Sequence, residues 1–282
     1  MRVLLGTVAA LVIGVSSAMA ADLPVKARPM PVEVWNWTGF YIGGNVGYSW
    51  GRSRNDVTYF NPVTGAAIVP PAGSVTSADF NLNGGIAGGQ IGYNWQTGPN
   101  WVWGLEADWQ WSRERGSTAF LCAATVIGGP CLPGLTFLPA GAVGTGVAME
   151  QSIEWFGTLR ARAGLLFSPS VYAYVTGGLA YGSVKTGLAI ASFTPNGTVV
   201  GAVGSTSTTH AGWTIGAGIE ALFARDWSAK LEYLYIDLGT FDNTIALATP
   251  AIATTVRSRV TDNVFRFGIN YHFSAGPVVA RY

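Results

Sequence analysis

Trp101, Trp103, Leu105, Ala107, Trp109 and Trp111 occupy alternate positions of one segment, and Gly104, Glu106, Asp108 and Gln110 fall between them. A period of two sustained over that length belongs to a β-strand, whose successive side chains point to opposite faces. One face suits hydrocarbon, and the other needs water or a counter-ion. The indoles bunch at both ends of the segment, as they do where a membrane-crossing strand meets its two aqueous boundaries.

The theme recurs in runs at Phe40 to Trp50, Phe80 to Trp95, Trp101 to Arg113, Ile153 to Phe167, Val171 to Val184, Ala211 to Phe223, Trp227 to Asp237 and Asn263 to Phe273. Each is long enough to cross a bilayer as a tilted strand of about 9–11 residues. The connections alternate. Segments 51–79, 114–152, 185–210 and 238–262 are long, whereas Gln96 to Asn100, Ser168 to Ser170 and Ala224 to Asp226 are short. Barrels of the outer membrane segregate short turns to one rim and long loops to the other. The pattern therefore predicts an all-β fold, an eight-stranded antiparallel transmembrane β-barrel over 39–273, with four long extracellular loops, three short periplasmic turns and both ends of the barrel on the periplasmic side.

Composition agrees with strands. Glycine (38 residues) and the aromatics (11 Trp, 11 Tyr, 13 Phe) disfavour helices, and the aromatics favour sheets. Past the first residues no apolar run approaches the roughly 18 residues of a membrane helix. Only 11% of residues are charged, for a net charge of +1, and no basic patch points to nucleic acid.

Met1 and Arg2 precede an apolar run from Val3 to Val15 and the small-residue site Ala18-Met19-Ala20, which reads as a signal peptide over 1–20. About 13 residues rising about 1.5 Å each cannot cross a core about 30 Å thick. Residues 21–38, with Pro24, Pro29 and Pro31, read as an extended periplasmic lead-in without a core of its own. Residues 274–282 read as a short tail, because Gly276-Pro277 cannot continue a membrane strand. Cys122 and Cys131 favour one local disulfide in an oxidising compartment, with two free thiols as the alternative.

Carried through the other runs, the alternation sets Ile153, Trp155, Leu159 and Phe167 outward and Glu154, Thr158, Arg160 and Arg162 inward. It sets Phe265, Phe267, Ile269, Tyr271 and Phe273 opposite Arg266, Asn270 and His272. The apolar phase changes between Leu82 to Ile86 and Ile91 to Trp95, which predicts a bulge near Gly88-Gly89. The inward charges are Glu106, Asp108, Glu154, Glu220 and Glu232 against Arg160, Arg162, Lys230 and Arg266. An eight-stranded barrel is just filled by its own side chains, so these groups are expected to pair as a closed ionic network, with Glu106 or Glu154 on Arg160 or Arg162.

The segment Trp37-Thr38-Gly39-Phe40-Tyr41-Ile42-Gly43-Gly44-Asn45-Val46-Gly47-Tyr48 resembles the opening strand of the small outer-membrane immunogenic, porin-like proteins of alphaproteobacteria. The likeness continues in Gly88 to Trp95, Trp155 to Gly164, Tyr174 to Tyr181 and Asn263 to Phe273. It implies an eight-stranded barrel in the cell outer membrane with exposed antigenic loops, and it brings no catalytic residues. Barrels of this kind end on an aromatic residue that the barrel-assembly machinery reads. Here Tyr271 and Phe273 fit that signal, with Tyr282 as the alternative.

These readings favour a non-enzymatic envelope and surface protein. Its partners would be outer-membrane lipid, lipopolysaccharide, the assembly machinery and an extracellular ligand for the loops. A small porin is the alternative, opposed by the crowded lumen. A lipid-modifying enzyme ranks below both, since His210 and His272 are the only two histidines, lie at opposite ends of their strands, and belong to no motif with a nucleophile. No cofactor is implied, and no His or Cys cluster has metal-ligand spacing. Gly216-Ala217-Gly218-Ile219-Glu220-Ala221 imitates a nucleotide-binding glycine motif but lies inside an alternating strand and opens no helix.

Overall fold

A computed structural model describes residues 35–69, 75–123, 144–246 and 253–274. The expected signal peptide, most of the lead-in, the tail beyond Ser274 and the Cys122–Cys131 bond lie outside the described side chains. Among the described residues the strands are β1 (Gly39–Phe60), β2 (Ala67–Ile68), β3 (Phe80–Thr97), β4 (Trp101–Ala123), β5 (Gly144–Ser168), β6 (Val171–Thr194), β7 (Gly197–Ala224), β8 (Trp227–Ala246) and β9 (Ala253–Ser274). All but β2 pair antiparallel with their neighbours in chain order. β9 returns to β1 from Gly39↔Ser274 to Phe60↔Ala253, which closes the sheet into a ring. Closure removes the free edges around the ring, although among the described residues the outer part of β7, before Trp213, is laddered on one side alone, with β6. The two-residue β2 folds back on the end of β1.

The long strands exceed expectation, running from 18 residues in β3 to 28 in β7. The three short turns stand where the sequence places them, but strand extends into all four segments read as long loops and fills nearly all of 185–210. β6 and β7 stay paired up to Thr194↔Gly197, so 185–210 is the end of a hairpin. The physical reason lies in the interior. Beyond the expected strand ends the inward positions mix apolar residues (Val147, Met149, Leu188, Val256, Val260) with small polar ones (Ser53, Thr186, Ser258), so the polarity contrast that marks a strand weakens while the β-branched residues keep its backbone favourable.

Two local predictions are corrected. No bulge occurs at Gly88-Gly89, because β3 pairs with β1 without interruption from Phe80 to Asn94. Leu82 and Ile86 point inward like Gln90 and Asn94, and what changes along β3 is the chemistry of the interior. The register slips elsewhere, and the slip that moves an expected network residue is at Glu154, between Ile153 and Trp155. Ile153 is thereby turned into the interior and Glu154 out of it, so Glu154 does not belong to the ionic network. It lines an outer cleft with Arg115, Glu150 and Lys185.

Outward aromatics form two bands. Near the short turns, the rings of Phe40 and Tyr93 lie 4.6 Å apart and those of Trp227 and Tyr271 lie 5.2 Å apart. Toward the other end, Trp109 stacks on Trp155 at 4.2 Å and Trp213 meets Tyr235 at 5.5 Å. From Phe40 to Trp50, at about 3.3 Å per residue and a tilt of about 40°, the bands are about 25 Å apart, the height of an outer-membrane barrel's apolar belt.

Candidate functional site

The chemistry of the molecule is concentrated inside the ring, where side chains stack in layers. Register brings opposite charges face to face across adjacent strands: Glu106↔Arg160, Glu220↔Lys230 and Glu232↔Arg266. Arg160 reaches Glu232 and Asp108, each at 2.9 Å, and also bonds Glu106. Arg162 bridges Glu106 at 3.0 Å and Glu220 at 2.7 Å. Lys230 Nζ donates to Glu106 Oε2 at 2.8 Å, and Arg266 Nη2 to Asp108 Oδ2 at 2.9 Å. Eight of the nine expected network residues are thus buried and joined, four carboxylates against four cations. Asn270 and three tyrosines occupy further acceptor sites, with Tyr41 donating to Glu106, Tyr172 to Glu220 and Tyr174 to Glu232. Bulky phenols fit because glycine faces them. A Cβ on Gly218 would stand 2.6 Å from the Tyr174 hydroxyl, and one on Gly92 would stand 2.3 Å from that of Tyr41.

Toward the short turns, the lead-in itself seals this layer. Structure begins before Gly39, since Trp37 is 1% exposed and donates from Nε1 to Pro169 O at 3.1 Å. Its ring lies 4.5 Å from Tyr172 and 5.4 Å from His272. Beneath it, Ser228 Oγ stands 2.8 Å from His272 Nε2, and Glu220 Oε1 is 3.4 Å from that nitrogen. This serine-histidine contact has no signature in the sequence, because nothing in the spacing of 228 and 272 announces that β8 and β9 place them side by side.

Toward the long extensions, the interior turns apolar. Phe156, Ile153, Val184, Leu234, Ile236, Val260 and Val264 pack into one buried cluster. Beyond Ile153, Gln151 Nε2 ties Thr186 at 3.0 Å and Ser258 at 3.1 Å. Two carboxyls the charge inventory omitted, Glu114 and Asp262, lie between these regions. Ser112 donates to Glu114 at 2.9 Å, and Ser49 donates to Asp262. Both follow the inward parity of β4 and β9, just past the ends of the runs read from the sequence.

Of the remaining expected residues, Phe273 is exposed at the end of β9 with its ring 5.0 Å from Tyr271. His210 stacks on Phe241 at 3.6 Å, far along β7 from the level of His272. Among the described residues no group of three or more His, Cys, Asp or Glu is placed to hold a metal.

A closed antiparallel ring with charges inside and an aromatic-bounded apolar belt outside defines a membrane β-barrel. Residues 8–273 match the outer membrane protein beta-barrel domain, and the chain belongs to that family and resides in the cell outer membrane. It is 34% identical to the 31 kDa outer-membrane immunogenic protein of Brucella melitensis, over 96% of this chain and 99% of that one. The 22 kDa outer membrane protein of Rhizobium leguminosarum is 29% identical, over 86% and 88%. The crystal structure of the outer membrane protein OprG from Pseudomonas aeruginosa aligns with a TM-score of 0.41 at 11% identity, covering 84% of this chain and 98% of that one.

Proposed function

We propose that the chain is a non-enzymatic envelope and surface protein: eight strands cross the outer membrane, the short turns face the periplasm, and the strand extensions carry the connecting segments outside the cell. The observation that carries this reading is the filled interior. Trp37, the ionic layer and the apolar cluster follow one another along the axis, so a solute would have to displace all three. Relatives named outer-membrane immunogenic proteins support surface exposure.

The same packing weighs against chemistry at Ser228. Its hydroxyl is fully buried and also donates to Glu220 Oε1 at 2.5 Å, so serine and carboxylate share one imidazole nitrogen instead of bracketing the ring as an acyl-transfer triad requires. The Cys122–Cys131 bond, if formed, would brace the connection between β4 and β5. Tyr271 and Phe273 would serve as the assembly signal.

Two measurements test the reading. An epitope inserted after Val63, which is 84% exposed in the turn beyond β1, should bind antibody on intact cells; binding only after the outer membrane is opened would reverse the orientation. Proteoliposomes of the folded protein should exclude small sugars and amino acids in a swelling assay, and rapid swelling would favour the porin.

A further inference from the structure

Just beyond the second aromatic band, the outer wall formed by β9, β1, β3 and β4 gathers arginines. Arg52 and Arg54 follow Trp50 on β1, Arg113 and Arg115 follow Trp111 on β4, and Arg257 and Arg259 stand on β9. Arg54 and Arg259 are paired directly across the β1–β9 ladder, an arrangement of like charges that destabilises a sheet. Three of the arginines are answered from within the chain: Arg52 by Asp79 at 3.5 Å, Arg257 by Asp242 at 2.9 Å and Arg259 by Asp237 at 2.8 Å. Arg54, Arg113 and Arg115 make no ion pair among the described residues. Between the arginine pairs of β1 and β4, β3 presents Asn81, Asn83 and Gly85, neutral and short, while on the far side of β4 Arg115 shares its cleft with Glu150, Glu154 and Lys185.

The same wall is hollow in the belt below. Gly44, Ala87 and Gly89 form the floor of grooves flanked by Trp109, Trp111 and Phe267. A Cβ on Gly85 would meet nothing within 4 Å, so the grooves open upward toward the arginines.

We propose that this wall binds one phosphorylated glycolipid of the outer leaflet, with acyl chains lying in the grooves and phosphate on Arg54, Arg113 and Arg115. The assignment rests on the orientation given above, which puts these arginines at the outer headgroup level. Charge complementarity chooses the ligand: guanidinium forks match phosphate oxygens, and a bound phosphate relieves the Arg54–Arg259 opposition. Register sets Arg115 opposite Asn83 and Arg54 four residues further along, so with two strand spacings they stand about 16 Å apart, a span for the separate phosphates of a phosphorylated sugar head and not for the single phosphate of an ordinary phospholipid.

The test uses the folded mature protein in neutral detergent with purified diphosphorylated lipid A, its phosphatase-treated form and phosphatidylglycerol, and native mass spectrometry reads retention. The wild type should retain the diphosphorylated form best. R54Q/R113Q/R115Q should bind it about tenfold or more weakly, and R257Q, whose charge Asp242 already answers, should bind it normally. A87W, which fills the groove on a lipid-facing position and leaves every charge in place, should also weaken retention. Equal retention of the phosphatase-treated form or of phosphatidylglycerol, or undiminished binding by the triple variant with folding confirmed by heat-dependent gel mobility, would overturn the assignment. Because detergent binding ignores leaflet, a failure here is separate from a failure of orientation, which the epitope reports.

Discussion

The two halves of the interior solve the same packing problem with opposite chemistry. On the side of the short turns, four carboxylates and four cations fill the ring, and every one is held by partners on other strands. On the side of the long extensions, Phe156, Leu234, Val264 and their neighbours fill it mainly with hydrocarbon, interrupted by Glu114, Asp262 and the amide and hydroxyl groups around Gln151. A hydrocarbon layer tolerates small errors of register, because dispersion and burial are non-directional. An ionic layer does not, since one missing partner leaves a desolvated charge. The ionic half therefore specifies which strand faces which, while the apolar half adds stability without strong direction.

The largest difference between the two halves is expected at Arg160. Arg160→Met leaves Glu106, Asp108 and Glu232 short of a cation, and urea unfolding in detergent should show a loss of about 3–5 kcal/mol. Adding Glu232→Gln restores the balance and should recover part of that loss, whereas no recovery would mean the layer is not a charge-matched unit. Leu234→Ala, in the other half, opens a cavity and should cost about 2–5 kcal/mol, with no dependence on a second site's charge. Ser228→Ala removes a buried donor to Glu220 and a partner of His272, and a smaller loss of about 1–3 kcal/mol is expected in the same assay. Arg257→Gln, an exposed pair with Asp242 outside both halves, should leave the midpoint unchanged within error.

The same contrast explains what could be read from the sequence. Where inside is charged and outside is apolar, as around Glu106 and Arg266, alternation alone places the residues correctly. Where both sides are apolar, as at Leu82 and Ile86, inward residues look outward and a continuous strand looks bulged. The real bulge was invisible because it exchanges Ile153 with Glu154, a swap that keeps the local pattern plausible. Glu114 and Asp262 were legible in principle, since parity extended by a few residues reaches both. Trp37 was not, because its burial depends on a turn at Pro169 that is remote in sequence.

A barrel filled in both halves of its interior should not conduct. Single-channel recording on the refolded protein decides this, alongside a variant carrying Trp37→Ala, the charge-balanced pair Arg160→Ala and Glu232→Ala, and Leu234→Ala, with heat-dependent gel mobility confirming that each is folded. A silent wild type is expected, with measurable openings only when side chains are cut from both halves. Steady conductance through the folded wild type, unchanged in the variant, would mean that the lumen is open.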